Sequence, residues 1–310
     1  MKLNIKKILG ILAILIILLL LFFLLKNNKQ DIERIKNIPA SLLSILFMLT
    51  LIEFFLNGYM LKILLEPFNI TTRFKEWFGL ASITTLGNYL TFFRGGTATK
   101  AVYLKNRYNL SYISFLASVG ASYVITVFVY SILGVLFSII MLFYSQIFNL
   151  TLFLLFIFIF LAALFAIIFF PKLPATENKI LRQIYNIIHG WNTLRKNTHF
   201  ILHFSLFVFL LYLVSASKIY LLYKSLAYDI TISSAAFLTL LSNLSIFISF
   251  TPAGLGIREA VLALTSSLLD LGLSSGIYVS ALERAITIIL IVIIGPIFSY
   301  LLIKKPTHPS

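Results

Sequence analysis

Two stretches of this chain put arginine and glycine together inside otherwise apolar sequence. The first reads Asn88-Tyr-Leu-Thr-Phe-Phe-Arg94-Gly95-Gly96-Thr-Ala-Thr-Lys100, and the second Asn243-Leu-Ser-Ile-Phe-Ile-Ser-Phe-Thr-Pro252-Ala-Gly254-Leu-Gly256-Ile-Arg258-Glu259. Pro252 lacks a backbone donor, and the glycines permit positive φ and close approach of another group to the backbone. A helix restarting after such a turn would direct free N–H groups into the gap, where they attract anions. Arg94, Lys100 and Arg258 add full positive charge, so the expected ligand is an anionic headgroup, a phosphate above all. The binding residues expected are therefore Asn88, Arg94, Gly95, Gly96, Lys100, Asn243, Pro252, Gly254, Gly256, Arg258 and Glu259. Asn88 and Asn243 would hydrogen-bond the unwound backbone, and Glu259 would orient Arg258 or exchange a proton. The plainer alternative is a tight interfacial turn between ordinary helices with snorkelling arginines.

Other charges lie deep in apolar runs: Glu53, Lys218, Asp270 and the adjacent Glu283 and Arg284. An intramembrane charge costs ~2.5–3.5 kcal/mol at a helix centre, so each needs a partner or water. Glu53, Glu283 and Arg284 are candidates for deep polar or coupling residues. Glu283-Arg284 is also placed to pair with Arg258-Glu259, which would be purely structural; Lys218 and Asp270 are expected near the outer surface. His199 and His203 stand at i, i+4, a metal-ligand spacing, yet no glutamate follows the first and no third ligand is evident in sequence, so no metal is expected. Interfacial histidines beside a basic loop are the simpler reading. Tyr185 and Trp191 in that loop suggest an amphipathic segment on the cytoplasmic face. Cysteine is absent, which removes disulfides and thiol chemistry. No cofactor is expected.

The elements that must position these residues are helices in lipid. Of 310 residues, 60% are hydrophobic and only 11% charged, a balance that forces the membrane class. The net charge of +15 is spread over short segments between apolar runs, where Lys and Arg orient helices and meet anionic headgroups. Nucleic acid is therefore not an expected partner. Ile8 to Leu25 follows Lys2, Lys6 and Lys7 and precedes Lys26-Asn27-Asn28-Lys29, so it reads as a retained first span and not as a cleaved signal peptide. Further apolar runs cover about 40–61, 77–93, 110–144, 150–170, 200–224, 233–250, 257–272 and 276–303.

Basic segments test the topology. Residues 94–107 and 172–199 are rich in Lys and Arg and should be cytoplasmic, as should the N-terminus and the tail with Lys304 and Lys305. That holds only if 77–93 enters the membrane and turns back, and if 233–272 does the same from outside. The fold class expected is all-α: a polytopic integral membrane helix bundle with two re-entrant or broken helical segments. Entry from opposite faces would make an inverted repeat. Ala81, Thr84, Leu86 and Asn88 recur at the same spacing as Ala236, Thr239, Leu241 and Asn243.

At the two broken segments the sequence resembles the transmembrane-region family of lysylphosphatidylglycerol synthase, the flippase-like integral membrane proteins. The residues that carry it are Arg94-Gly95-Gly96 with Lys100-Ala101 and Tyr103-Leu104-Lys105, then Leu110-Ser111-Tyr112, and Pro252-Ala253-Gly254-Leu255-Gly256-Ile257-Arg258-Glu259. The resemblance covers essentially the whole chain, 1–310, as a single flippase-like transmembrane domain in the cell membrane. It implies movement of an anionic or aminoacylated phospholipid, or a lipid-linked phosphate, between leaflets. Some members carry a fused catalytic domain. The longest loop here, about 171–199, cannot hold an aminoacyl-transferase fold and the sequence stops at Ser310, so synthase activity is not expected. Many relatives have an acid just after the first glycine motif, where this chain has Thr97, which puts a proton-coupled role at that position in doubt.

The leading expectation is thus a lipid translocator, not an enzyme, whose partners are membrane lipids with anionic headgroups. Two alternatives stay open: an intramembrane lipid-modifying enzyme, for which no His or Asp cluster is apparent, and an accessory membrane subunit of a glycosyltransferase. A homo-oligomer or a membrane partner enzyme is compatible with any of them.

Overall fold

The structure is a computed structural model that describes residues 37–144, 149–169, 188, 191–192 and 194–303. The N-terminal run Ile8 to Leu25, most of the basic loop including Tyr185, and Lys304 and Lys305 lie outside the described residues. Among the described residues there are no strands, and nine helices carry the fold: α1 (Ala40–Leu65), α2 (Phe74–Leu90), α3 (Gly95–Tyr108), α4 (Tyr112–Tyr144), α5 (Leu150–Ile168), α6 (Thr198–Ser225), α7 (Ile232–Leu244), α8 (Ile257–Leu268) and α9 (Leu273–Ile303).

Five of these, α1, α4, α5, α6 and α9, are long and apolar enough to cross a membrane. The 19 residues of α5 rise about 28 Å, close to the hydrocarbon thickness. Its outward face is greasy, with Phe158 70% and Phe165 61% exposed. A contiguous surface of that kind requires lipid as its solvent. By contrast, α7 and α8 have 13 and 12 residues and rise only about 20 Å each, too short to span. The chain is an all-α polytopic membrane bundle.

The chain divides into two compact units: one made of Met1–Phe54, Ser82–Thr97 and Val214–Ser310, the other of Phe55–Ala81 and Ala98–Leu213. In the second unit, α4 and α5 pack with the ring of Phe156 against Gly134, where a Cβ would overlap it. The last carbonyls of α5 are satisfied by side chains: Arg195 Nη1 donates to Ile167 and Ile168 at 2.8 Å, and Trp191 Nε1 to Ala166 at 3.3 Å. Trp191 is itself buried while it caps α5.

In the first unit both expected breaks are present. The end of α2 doubles back through a 3-10 turn, Phe92–Arg94, into α3, and Phe93 and Arg94 adopt left-handed φ of 51° and 55°. Glycine is required where the arms meet: a Cβ on Gly96 would overlap the Thr84 carbonyl, and one on Gly87 would sit 2.7 Å from Gly96 Cα. The second break runs from α7 through the turns Ser245–Ile248 and Pro252–Gly254 into α8, with φ of 49° at Ala253, 69° at Gly254 and 84° at Gly256.

The backbone repeats itself. Among the described residues, every non-glycine residue with positive φ falls on a matching joint of two copies. Asn69 and Ala227 precede the first short helix, Phe93 and Ala253 sit at the break, and Asn109 and Asp270 precede the long closing helix. Arg94 corresponds to Gly254. Left-handed φ is uncommon outside glycine, so its recurrence at the same joints carries more weight than apolar identities. One copy is α1–α4, the other α6–α9, and α5 links them.

Candidate functional site

The charges expected to be costly in an apolar bundle converge in the first unit. Glu53 on α1 accepts from Ser215 Oγ at 2.7 Å and from the Lys218 ammonium, both on α6. Lys218 also meets Glu283 Oε1 on α9 at 2.9 Å. Glu283 in turn holds the Arg258 guanidinium from α8 at 3.0 Å, while Arg258 Nε donates to Ser242 Oγ on α7 at 2.8 Å. Next to this chain, Arg284 pairs with Glu259 and donates through Nη1 to the Ala253 carbonyl at 3.2 Å. The Arg284 guanidinium also lies 6.0 Å from the centre of the Tyr89 ring.

Three carboxylates and three cations therefore cancel. Lys218, Glu283 and Arg284 are buried, and Arg258 is the most open of the six, with 27% of its side chain exposed. Burying charge is tolerable only when it is paired and hydrogen-bonded. The crossed pairing of Arg258-Glu259 with Glu283-Arg284 agrees with the structural pairing read from sequence, and Glu53 is partly buried, with 14% of its side chain exposed. Lys218 is a correction. It does not lie near the outer surface but is 2% exposed at the centre of the network, because the α6 face that carries it packs on Glu53. Asp270, in contrast, is exposed in the turn before α9.

The two breaks touch. Phe93 N donates to the Phe250 carbonyl at 3.2 Å, and the Arg94 guanidinium donates to the Ile246 carbonyl. Arg94 thus binds unwound backbone of the second break, a task expected of the asparagines. Asn88 differs from expectation, since its buried Oδ1 has no hydrogen-bond partner among the described residues. Arg284 Nη2, also buried, is likewise unmatched among them.

At the start of α8, Glu259 folds back and accepts from Gly256 N at 2.8 Å. Three residues separate the two, the spacing of a capping box, so a carboxylate of the chain already occupies part of the anion site. Pro252 and Gly254 are buried in the turn before it, and Gly95 packs against Thr91. Lys100 lies on α3 beyond the break, within the second unit, and has no ion-pair partner among the described residues.

Sequence reasoning passed over two acids in the second unit. Glu76, buried in the first turn of α2, accepts from Arg73 N at 2.9 Å and Tyr103 Oη at 3.1 Å, with Arg107 Nε 3.7 Å away. Burial and the Glu76 carboxylate push the Tyr103 phenol up to about 12. The spacing Arg73-x-x-Glu76 at a helix start was the available signal. Glu66, just past α1, comes to His199 and His203, supplying the third ligand-type residue that the sequence lacked.

The salt bridges thus lie beside the two broken helices, and no curated protein sequence matches the chain. The sequence profile described as the lysylphosphatidylglycerol synthase TM region matches residues 9–295, from the first apolar run almost to the end of α9, and the chain therefore belongs to that family.

Proposed function

We propose that this protein moves a lipid with an anionic headgroup between membrane leaflets, leaving the headgroup chemically intact. The observation that carries the reading is the buried, charge-balanced network of Glu53, Lys218, Arg258, Glu259, Glu283 and Arg284 beside two broken helices. Charge at membrane depth is rare and marks substrate or ion pathways. Membership of a lipid-synthase membrane family supports a lipid as the substrate.

The duplicated backbone supports an inverted arrangement. In each copy a long helix crosses, a short-helix hairpin enters and leaves by one leaflet, and a second long helix crosses back. The single extra crossing of α5 starts the second copy from the other face. With cytoplasmic termini, the first hairpin dips from the cytoplasm and the second from outside.

An arriving phosphate competes with Glu283 for Arg258 and Lys218. Its entry leaves the network one negative charge in excess, which a proton on Glu283 or Glu53 cancels. Transport then couples naturally to protonation, and the carboxylates act as gatekeepers in place of permanent anion sites. The test is transfer of fluorescent phosphatidylglycerol in proteoliposomes holding the pure protein, with and without a pH gradient. Transfer that R258Q abolishes is the expected result. Transfer no faster than in empty vesicles under either condition sinks the reading.

A further inference from the structure

We propose that Glu66, His199 and His203 form a binding site for a divalent transition metal, with Zn2+ the best match. All three residues belong to the second unit, at the end of α1 and the start of α6. One nitrogen from each imidazole and one carboxylate oxygen lie within 4.8 Å of one another. Yet none of these side chains makes a hydrogen bond among the described residues, which is the pattern of groups facing a common point and not of a closed polar pair.

The geometry is locally built. His199 and His203 are one turn apart on α6 and share a face. Their rings lie 5.4 Å apart, and His203 meets both Phe207, at 5.4 Å, and Tyr59 of α1, at 6.2 Å, edge-on. Tyr59 stacks on Phe207 at 4.5 Å, which holds the end of α1 against α6 and brings Glu66 to the imidazoles. His203 Nδ1 is buried with no partner among the described residues, a costly state that a metal at that nitrogen would relieve.

Bond lengths of about 2.0–2.2 Å in a tetrahedral zinc site put its N and O ligands roughly 3.3–3.5 Å apart. Glu66 and His199 are exposed, so both can close that gap by rotation about their side-chain bonds. Two imidazoles with one carboxylate select zinc-like ions over Mg2+ or Ca2+, which prefer oxygen. Three protein ligands leave a position for water or a ligand oxygen. The bound ion would tie the end of α1 to the start of α6.

The test uses the whole chain, purified in detergent on a tag without histidine, stripped with chelator and titrated with Co2+. Expected are one saturable equivalent, visible bands of a low-coordinate site, displacement by Zn2+, and a higher unfolding temperature with the ion bound. H199A should lose the bands, and E66Q should weaken binding. Both change exposed side chains and should leave the fold intact; H203Q serves as the third check. Absence of a saturable equivalent in the wild type overturns the site, as does binding that H199A and E66Q leave unchanged.

Discussion

The Arg258–Glu283 pair offers the sharpest test of the charge balance. Replacing Glu283 by Leu leaves Arg258 and Lys218 with one carboxylate fewer, and the buried network carries an excess positive charge. Replacing Arg258 by Leu leaves an excess negative charge. Each single change breaks a buried pair that is 4% exposed on the Glu283 side and 27% on the Arg258 side, and should cost about 3–5 kcal/mol. The double variant R258L/E283L removes one charge of each sign. Lys218 keeps Glu53 and Arg284 keeps Glu259, and apolar replacement of a whole buried pair is often neutral or stabilising. Its cost should stay within about 1 kcal/mol of wild type, well short of the sum of the singles. Equilibrium unfolding in mixed micelles measures all four proteins. Additivity of the two singles to within about 0.5 kcal/mol would refute the idea that these charges act as one balanced set. On the transport reading, the double variant should also be folded and yet fail to move labelled phosphatidylglycerol, which separates stability from function.

Further outcomes follow from the same contacts. Gly96→Ala forces a methyl into the Thr84 carbonyl and should destabilise the first hairpin by about 1–3 kcal/mol, whereas Gly120→Ala, with nothing within 4 Å, should be neutral or stabilising; thermal unfolding in detergent compares them. Inversion of the repeat predicts that T71C and D229C, in matching exposed joints, react with impermeant maleimide from opposite faces of the membrane, and labelling from one face alone contradicts it. Arg94→Gln removes the guanidinium that holds the Ile246 carbonyl, so A253C should label faster in that background if the contact between the breaks restrains the second turn.

The breaks were legible because proline, glycine and arginine act locally. Gly95-Gly96 and Pro252-Ala253-Gly254-Leu255-Gly256 interrupt apolar runs, and the structure places the end of one helix and the start of the next around each. The crossed pairing of Arg258-Glu259 with Glu283-Arg284 was legible for another reason: a buried charge demands a partner, and few candidates exist in so apolar a chain. Lys218 was misread because its partners are tertiary. It lies about two turns from the end of α6, where a snorkelling lysine is normal, and nothing in sequence says that this face meets Glu53. Helices apolar on all sides give no periodic signal of which face is inward. Gly87 and Glu66 escaped notice for the same reason, since each matters only through a group on another element.

The duplication also shows where chemistry and scaffold part company. Counting from the left-handed joint before each closing helix, Glu283 and Arg284 of α9 correspond to Ser122 and Tyr123 of α4. Counting from the break, Arg258 and Glu259 of α8 correspond to Ala98 and Thr99 of α3. The first copy therefore keeps the backbone of the second without its ion pairs, and its own contribution at the break is Arg94, standing where the second copy has Gly254. A symmetric pair of charged hairpins would double the desolvation cost of the bundle and give a headgroup two equal resting places. On the transport reading, charge concentrated in the second copy, with Glu53 of α1 and Arg94 reaching in from the first, gives one binding locus and one backbone contact that its occupation can disturb. Moving the charges to the first copy, by placing Arg-Glu at 98–99 and Glu-Arg at 122–123 while neutralising the originals, should accordingly preserve the helix pattern but not transport, because the contact from Arg94 would then join the charged copy to an uncharged one.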